Sequence, residues 1–272
     1  MGLVTRYLLP FAEDHLLQIL LACLVVAGIH RLLRRMRTTV RRADMDPLPA
    51  SARDAESKAE KGSRNHIPYS RPRFSAEESI KRSKEFYEMM NSRRSVRFFS
   101  SDPVPREVIE NVVRTAGTSP SGAHTEPWTF AVVGDPEVKQ RSRGRKLFRD
   151  QWVQDLKALR TSWVKEYLTE APWLILVFKQ TYGMLPDGRK RNHYYHEIST
   201  ALAGGILLSA IHNAGLVTLT STPLNCGPAL RSLLDRPPNE KLLLLLPVGF
   251  PSDGATVPDL RRKPLEEIMV VV

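Results

Sequence analysis

At 272 residues, with 42% hydrophobic and 25% charged side chains, the chain has an ordinary globular composition and is long enough for one or two domains with a sizeable buried core. Two cysteines, Cys23 in an apolar run and Cys226 deep in the globular region, argue against a structural disulfide and fit a reducing compartment; no CxxC pair or zinc spacing is present. The formal net charge of +11 suits nucleic acid, anionic lipid or an anionic ligand, and its distribution favours lipid. Arg31, Arg34, Arg35, Arg37, Arg41 and Arg42 follow an apolar run with no acid among them, whereas no nucleic-acid-binding motif is found.

That apolar run, Leu16–Ile29 (LLQILLACLVVAGI), has Gln18 as its one polar residue. It is shorter than the ~20 residues that span a bilayer comfortably, but Arg31 can snorkel and Leu32 and Leu33 add length. A signal peptide places its basic residues before the apolar core; here they come after, so a single-pass anchor over residues 1–33 is the expectation. The basic cluster then puts the rest of the chain on the cytoplasmic side, at the plasma membrane or a vesicle membrane. Residues 34–75 are basic and polar, with Pro47, Pro49, Pro68 and Pro72, and read as a linker that buries too little apolar surface to offset its ordering entropy.

The globular domain is expected over residues 76–272. Ala76–Ser92 has helical spacing at Ile80, Phe86 and Met89 or Met90, and Pro105–Thr118 reads as a second helix with proline in its first turn. Trp128–Gly134 reads as a strand, Asp155–Leu168 as an amphipathic helix and Trp173–Lys179 as a buried strand. His193–Gly215 is a long helix with a small-residue face at Ser199, Ala203 and Ala210, followed by strands at Val217–Thr222 and Lys241–Phe250. Strands alternating with helices give an α/β class.

Four clusters can carry chemistry. Arg93-Arg94-Ser95-Val96-Arg97 offers three planar guanidinium forks suited to phosphate oxygens, although a bare arginine run reads more readily as a solvated basic turn. Ser119–Trp128 joins a helix to a strand, and Gly122 within it permits close backbone approach to a planar ligand; a plain surface loop is the competing reading. Thr220-Ser221-Thr222-Pro223 closes a strand, where α/β sheets favour ligands, although threonine also suits strands for its own sake. Arg261-Arg262-Lys263 offers a further phosphate clamp or simple surface charge. A metal site at His193 and His196 (HYYHE) lacks a third ligand with sensible spacing. His124 reads as a loop residue rather than a base, and Cys226 as a buried residue rather than a nucleophile.

In this order, RRSVRFF, SPSGAHTEPW, TSTPLNCGP and PDLRRKPLEEI resemble the nitroreductase superfamily, and more narrowly the iodotyrosine deiodinases, from about Ser92 to Val272. The resemblance implies an α+β, nitroreductase-like FMN fold with a mixed central sheet flanked by helices, FMN held at the interface of a homodimer, and NADPH as ultimate reductant. The implied activity is reductive dehalogenation of mono- and diiodotyrosine to tyrosine and iodide, for iodide salvage. Arg93, Arg94, Ser95, Val96, Arg97, Ser121, Gly122, Thr220, Ser221, Thr222 and Arg262 match FMN contacts, and Thr222 would donate to flavin N5 as the catalytic hydroxyl. Ala123 matches a residue whose backbone touches the substrate phenolate, and Lys165 matches the lysine on the amino-acid carboxylate. One stretch departs from the pattern. The family's lid helix supplies a glutamate and a tyrosine to the substrate, whereas Val138–Gln151 (VKQRSRGRKLFRDQ) is shorter and contains neither. This leaves two other readings: an FMN-dependent nitro or quinone reductase of relaxed substrate choice, and a flavin-binding membrane protein without turnover.

Overall fold

The computed structural model describes residues 66–143, 165–223 and 226–272. The expected anchor, most of the linker, and most of the stretches 138–151 and 155–168 lie outside them. Among the described residues no helix is long and apolar enough to cross a membrane. Arg73–Val272 forms one unit; residues 66–72 before it are exposed and belong to no helix or strand.

The first helix, α1 (Ala76–Ser92), begins where its sequence says it should. The Ser75 hydroxyl accepts from the Glu78 N–H (3.1 Å), Glu77 and Glu78 favour the positive end of the helix dipole, and Arg82 pairs with Glu78 at i,i+4 (2.6 Å). Its apolar residues find little cover within the chain: Ile80, Phe86 and Tyr87 are 68%, 58% and 64% exposed. The second helix, α2 (Arg106–Gly117), starts after Pro105 and buries Ile109, Val112 and Ala116 on one stripe.

A four-stranded sheet organises the rest. β1 (Trp128–Val133), β2 (Trp173–Gln180), β5 (Val217–Thr218) and β6 (Glu240–Gly249) lie in the order β1-β2-β6-β5. All three ladders are antiparallel, and a parallel bridge from Ser95 to Thr218 beside β5 makes the sheet mixed. The mixed sheet flanked by helices is the one that the family resemblance implied. Between its strands stand α3 (Pro136–Arg143), α4 (Tyr167–Glu170), the hairpin β3 (Tyr182–Met184) and β4 (Lys190–Asn192), α5 (His196–Asn213) and α6 (Gly227–Leu233).

β2 is buried from Leu174 to Phe178, and its alternation feeds two cores. Leu174, Leu176 and Phe178 join Tyr167, Leu168, Leu230 and Leu245 on one face. Ile175 and Val177 join Ile109, Leu207, Ile211, Leu246 and Val248 on the other. The long helix expected from His193 begins at His196, because Tyr195 takes a left-handed conformation (φ 52°) that no helix continues through. The strand expected over Val217–Thr222 pairs only through Thr218, then returns as a single Ser221–Leu245 bridge.

Glu240, 2% exposed, locks the end of β6. Its carboxylate accepts from Thr129 (2.6 Å) and from two nitrogens of Arg236 (2.8 and 3.0 Å). Burial pushes its pKa up, but the Arg236 and Thr129 hydrogen bonds outweigh that and hold it below the usual carboxylate range. The contribution to stability is therefore complete above that range and is lost as pH falls through the depressed folded value. Glu240→Ala is expected to cost about 3 kcal/mol in urea unfolding at pH 7, and much less at a pH below the folded value.

Candidate functional site

Helix α1 ends because Arg93 turns extended (φ −63°, ψ 130°), and the next residues run beside the sheet edge. The Val96 N–H donates to the Thr218 carbonyl (3.2 Å), which buries the Val96 side chain in the core and leaves its amide already used. Arg93, Arg94, Ser95 and Arg97 form one wall of a cleft of ≈ 330 Å³ whose other wall carries Arg261 and Arg262. The walls are bolted together. Arg262 donates to the Asn91 carbonyl (2.9 Å), the Asn91 Oδ1 (3.0 Å) and the Arg93 carbonyl (2.9 Å), and Arg94 donates to the Pro258 carbonyl. Burial, then Arg262 and then Arg94 hold the Arg93 pKa below its ordinary value, and no carboxylate is among the charges acting on it. Three guanidiniums thus converge without a counter-ion among the described residues, which is an arrangement made for an anion.

Of Thr220, Ser221 and Thr222, Ser221 is tied to this wall, since it and Arg97 both act on Tyr167. Ser221 is buried and exchanges both backbone hydrogen bonds with Leu245 (3.0 and 2.8 Å), while Thr220 and Thr222 on either side of it are exposed. Beneath them is a residue the sequence reasoning missed. Burial raises the Tyr167 hydroxyl to about 12, against the opposing pull of Arg97 and of a hydrogen bond with Ser221. Lys165, 4% exposed, is held below the usual lysine range by burial and then by Arg97. Arg97, Lys165, Tyr167 and Ser221 therefore share one neighbourhood. The available signal was a tyrosine two positions after Lys165, followed by Leu168, on the approach to β2.

Ser121, Gly122 and Ala123 sit elsewhere. Their loop packs on the start of α5: the Gly122 N–H donates to the Ser199 hydroxyl (3.4 Å), and Ser121 Oγ accepts from the Glu126 N–H (3.0 Å). Ala123, His124 and Glu126 all have positive φ (51°, 52° and 45°), a strained run that surrounding structure must hold in place. The loop precedes β1, at one edge of the sheet and at the Lys179 end of β2. The arginine wall flanks β5, at the opposite edge and at the Gly249 end of β6. With strands ~4.8 Å apart and ~3.3 Å per residue, these corners are on the order of 25 Å apart. One chain does not bring its two expected ligand surfaces together.

His124 is exposed and 3.6 Å from Glu126; His193 is buried with Nδ1 3.2 Å from the Gln180 carbonyl; Cys226 is buried at the start of α6. Among the described residues no group of three metal-ligating side chains occurs.

The nitroreductase family pattern matches residues 90–250. Iodotyrosine deiodinase of Danio rerio is 63% identical over 217 residues, 76% of this chain and 74% of the relative. Iodotyrosine deiodinase 1 of Homo sapiens is 61% identical over the same length, 76% of this chain and 75% of the relative. The chain belongs to the nitroreductase family, and within it to the iodotyrosine deiodinases. A crystal structure of oxidized iodotyrosine deiodinase bound to FMN and 3-iodo-L-tyrosine matches at TM-score 0.58 and 29% identity, over 69% of this chain and 97% of that one. The 217-residue matches take in 76% of 272 residues, about 207, so about ten positions of each of the two relatives face a gap here.

Gly122 is fixed by contact rather than by dihedral angle. A Cβ there would lie 2.9 Å from the Tyr194 carbonyl oxygen and 3.3 Å from the Tyr195 ring, whereas one at Gly117 meets nothing within 4 Å. Gly122→Ala should destabilise the chain by ~1–3 kcal/mol in chemical unfolding. Gly117→Ala should be neutral or slightly stabilising, within about 1 kcal/mol.

Proposed function

We propose that this deiodinase-family chain binds FMN and removes iodide reductively from mono- and diiodotyrosine, giving tyrosine and iodide and so salvaging iodide. The observation that carries the reading is the convergence of Arg93, Arg94 and Arg262 with no ion-pair partner for them among the described residues. That donor set fits a phosphate dianion, with Ser95 and Arg97 continuing the same wall. When bound, FMN supplies the redox chemistry, the halogenated ring carbon taking two electrons and one proton as iodide leaves.

The chain's own residues bind, orient and exclude water. Thr222 presents a hydroxyl for flavin N5 and is the catalytic residue of this reading, with Thr220 and Ser221 beside it. The Ala123 backbone meets the substrate phenolate, next to Ser121 and Gly122, and Lys165 meets the amino-acid carboxylate. Because the Ser121–Ala123 corner and the arginine corner are so far apart in one chain, a second copy completes the site. The protein is then a homodimer, and the exposed apolar residues of α1 are covered by assembly. Residues 1–33 anchor this dimer in the plasma membrane or a vesicle membrane, residues 34–75 tether it, and residues 76–272 work on the cytoplasmic side with NADPH as ultimate reductant. The positively charged stretch after the apolar run supports that orientation.

A second reading has its own support. Val138–Gln151 lacks a glutamate and a tyrosine, and the relatives' match leaves about ten positions unfilled. A shortened substrate cover favours a nitro or quinone reductase of relaxed choice. Full chain supplied with FMN and reductant, and given either 3-iodotyrosine or a nitroarene against enzyme-free controls, separates the two. Release of one iodide per tyrosine formed supports deiodination. Reduction of nitroarenes without iodide release supports the second reading and defeats the first. Thr222→Ala should lower the iodide-release rate by about tenfold or more while leaving FMN affinity within about twofold, as a bond made mainly during turnover would.

A further inference from the structure

We propose that Lys139 is the positioning residue for Lys165, so that recognition of the substrate carboxylate is built into the packing of α3 on α4. The inference rests on the reading of Lys165 as the carboxylate partner. Lys139 looks like one more member of a basic stretch, yet it is 7% exposed. Its ammonium turns inward and donates to the carbonyls of Ala171 (3.0 Å), Thr169 (3.5 Å) and Pro172 (3.5 Å). Those carbonyls close the far end of the turn that Lys165 opens. The Leu168 N–H donates to the Lys165 carbonyl (3.1 Å), Thr169 and Glu170 donate to the Glu166 carbonyl (2.9 and 3.2 Å), and Ala171 donates to the Tyr167 carbonyl (3.2 Å). Lys165 to Ala171 is therefore one hydrogen-bonded block about 9 Å long, with the ammonium of Lys139 fixed at its end.

Lys139 is itself held firmly. Asp135, just past β1, accepts the Val138 N–H on its side chain (2.9 Å) and the Lys139 N–H on its carbonyl (3.0 Å). A continuous path of bonds thus runs from the end of β1 through α3 and Lys139 to the block that carries Lys165. It also joins the two stems of the segment 144–164. Burying an ammonium is costly, and here burial holds its pKa below the usual lysine range, partly offset by Asp135. Three carbonyl acceptors satisfy the charge, so its removal frees the block without touching the arginine wall.

The test uses the full chain loaded with FMN and two ligands, 3-iodotyrosine and 2-iodophenol, which lacks the carboxylate. Affinity is read from quenching of bound FMN fluorescence. Lys139→Met is expected to weaken 3-iodotyrosine about tenfold and 2-iodophenol less than about twofold, with FMN affinity unchanged, and Lys165→Ala should show the same preference. Equal weakening of both ligands by Lys139→Met, or of neither, overturns the proposal. If Lys165→Ala leaves the ratio of affinities unchanged, the reading of Lys165 falls and this inference with it. If Lys165→Ala changes the ratio and Lys139→Met does not, only the inference falls. Should Lys139→Met fail to fold, Lys139→Arg keeps the charge but misplaces the donors, and is expected to move the ratio the same way by about threefold; an unmoved ratio again overturns it.

Discussion

Like charges repel, and a chain that packs Arg93, Arg94 and Arg262 into one cleft must hold them there by something other than ion pairs. Backbone carbonyls do so. Arg262 reaches across 169 residues of sequence to the Arg93 carbonyl and across 171 to Asn91, and Arg94 answers by donating to Pro258. Arg94 and Arg262 each spend part of their donor fork on the scaffold, which fixes their planes while leaving their charge in place. The C-terminal tail owes its course over the end of α1 to these bonds, and the end of α1 owes its extended exit to the Val96–Thr218 pairing. An anion in the cleft would relieve the repulsion, so ligand binding and the stability of the tail are linked.

The sheet determines what this cleft can be combined with. β2 is buried on both faces, and it and β6 separate the two edge strands. The glycine loop before β1 and the arginine wall beside β5 are consequently held rigidly apart, at opposite corners. A flavin needs both its phosphate and its ring served, and it is this division that the proposed second copy of the chain would bridge. In the proposed dimer the exposed Ile80, Phe86 and Tyr87 of α1 would be covered.

Much of this was legible in the residues themselves. Helix α1 was readable from the helical spacing of Ile80, Phe86 and Met89 or Met90, and the buried β2 from its run of β-branched and aromatic residues. The start of α5 was misplaced because nothing local marks Tyr195 as left-handed; tertiary packing imposes it. The β3–β4 hairpin went unread although Pro186-Asp187-Gly188 is a turn signal, because its strands are three residues each and lack apolar alternation. In the site, clustered guanidiniums and hydroxyls announced themselves. Lys139 and Tyr167 did not, since their roles depend on carbonyls and a serine that the fold brings from 30 to 54 positions away.

The central claim is that the uncompensated guanidiniums exist to hold a phosphate dianion. Riboflavin is FMN without that phosphate, so equilibrium titration of the flavin-free chain with each, read by flavin fluorescence, measures the claim directly. Two or three charge-assisted contacts predict FMN binding at least ~100-fold tighter than riboflavin, a gap that narrows with added salt. Equal affinities, or no binding of FMN at all, would contradict the account.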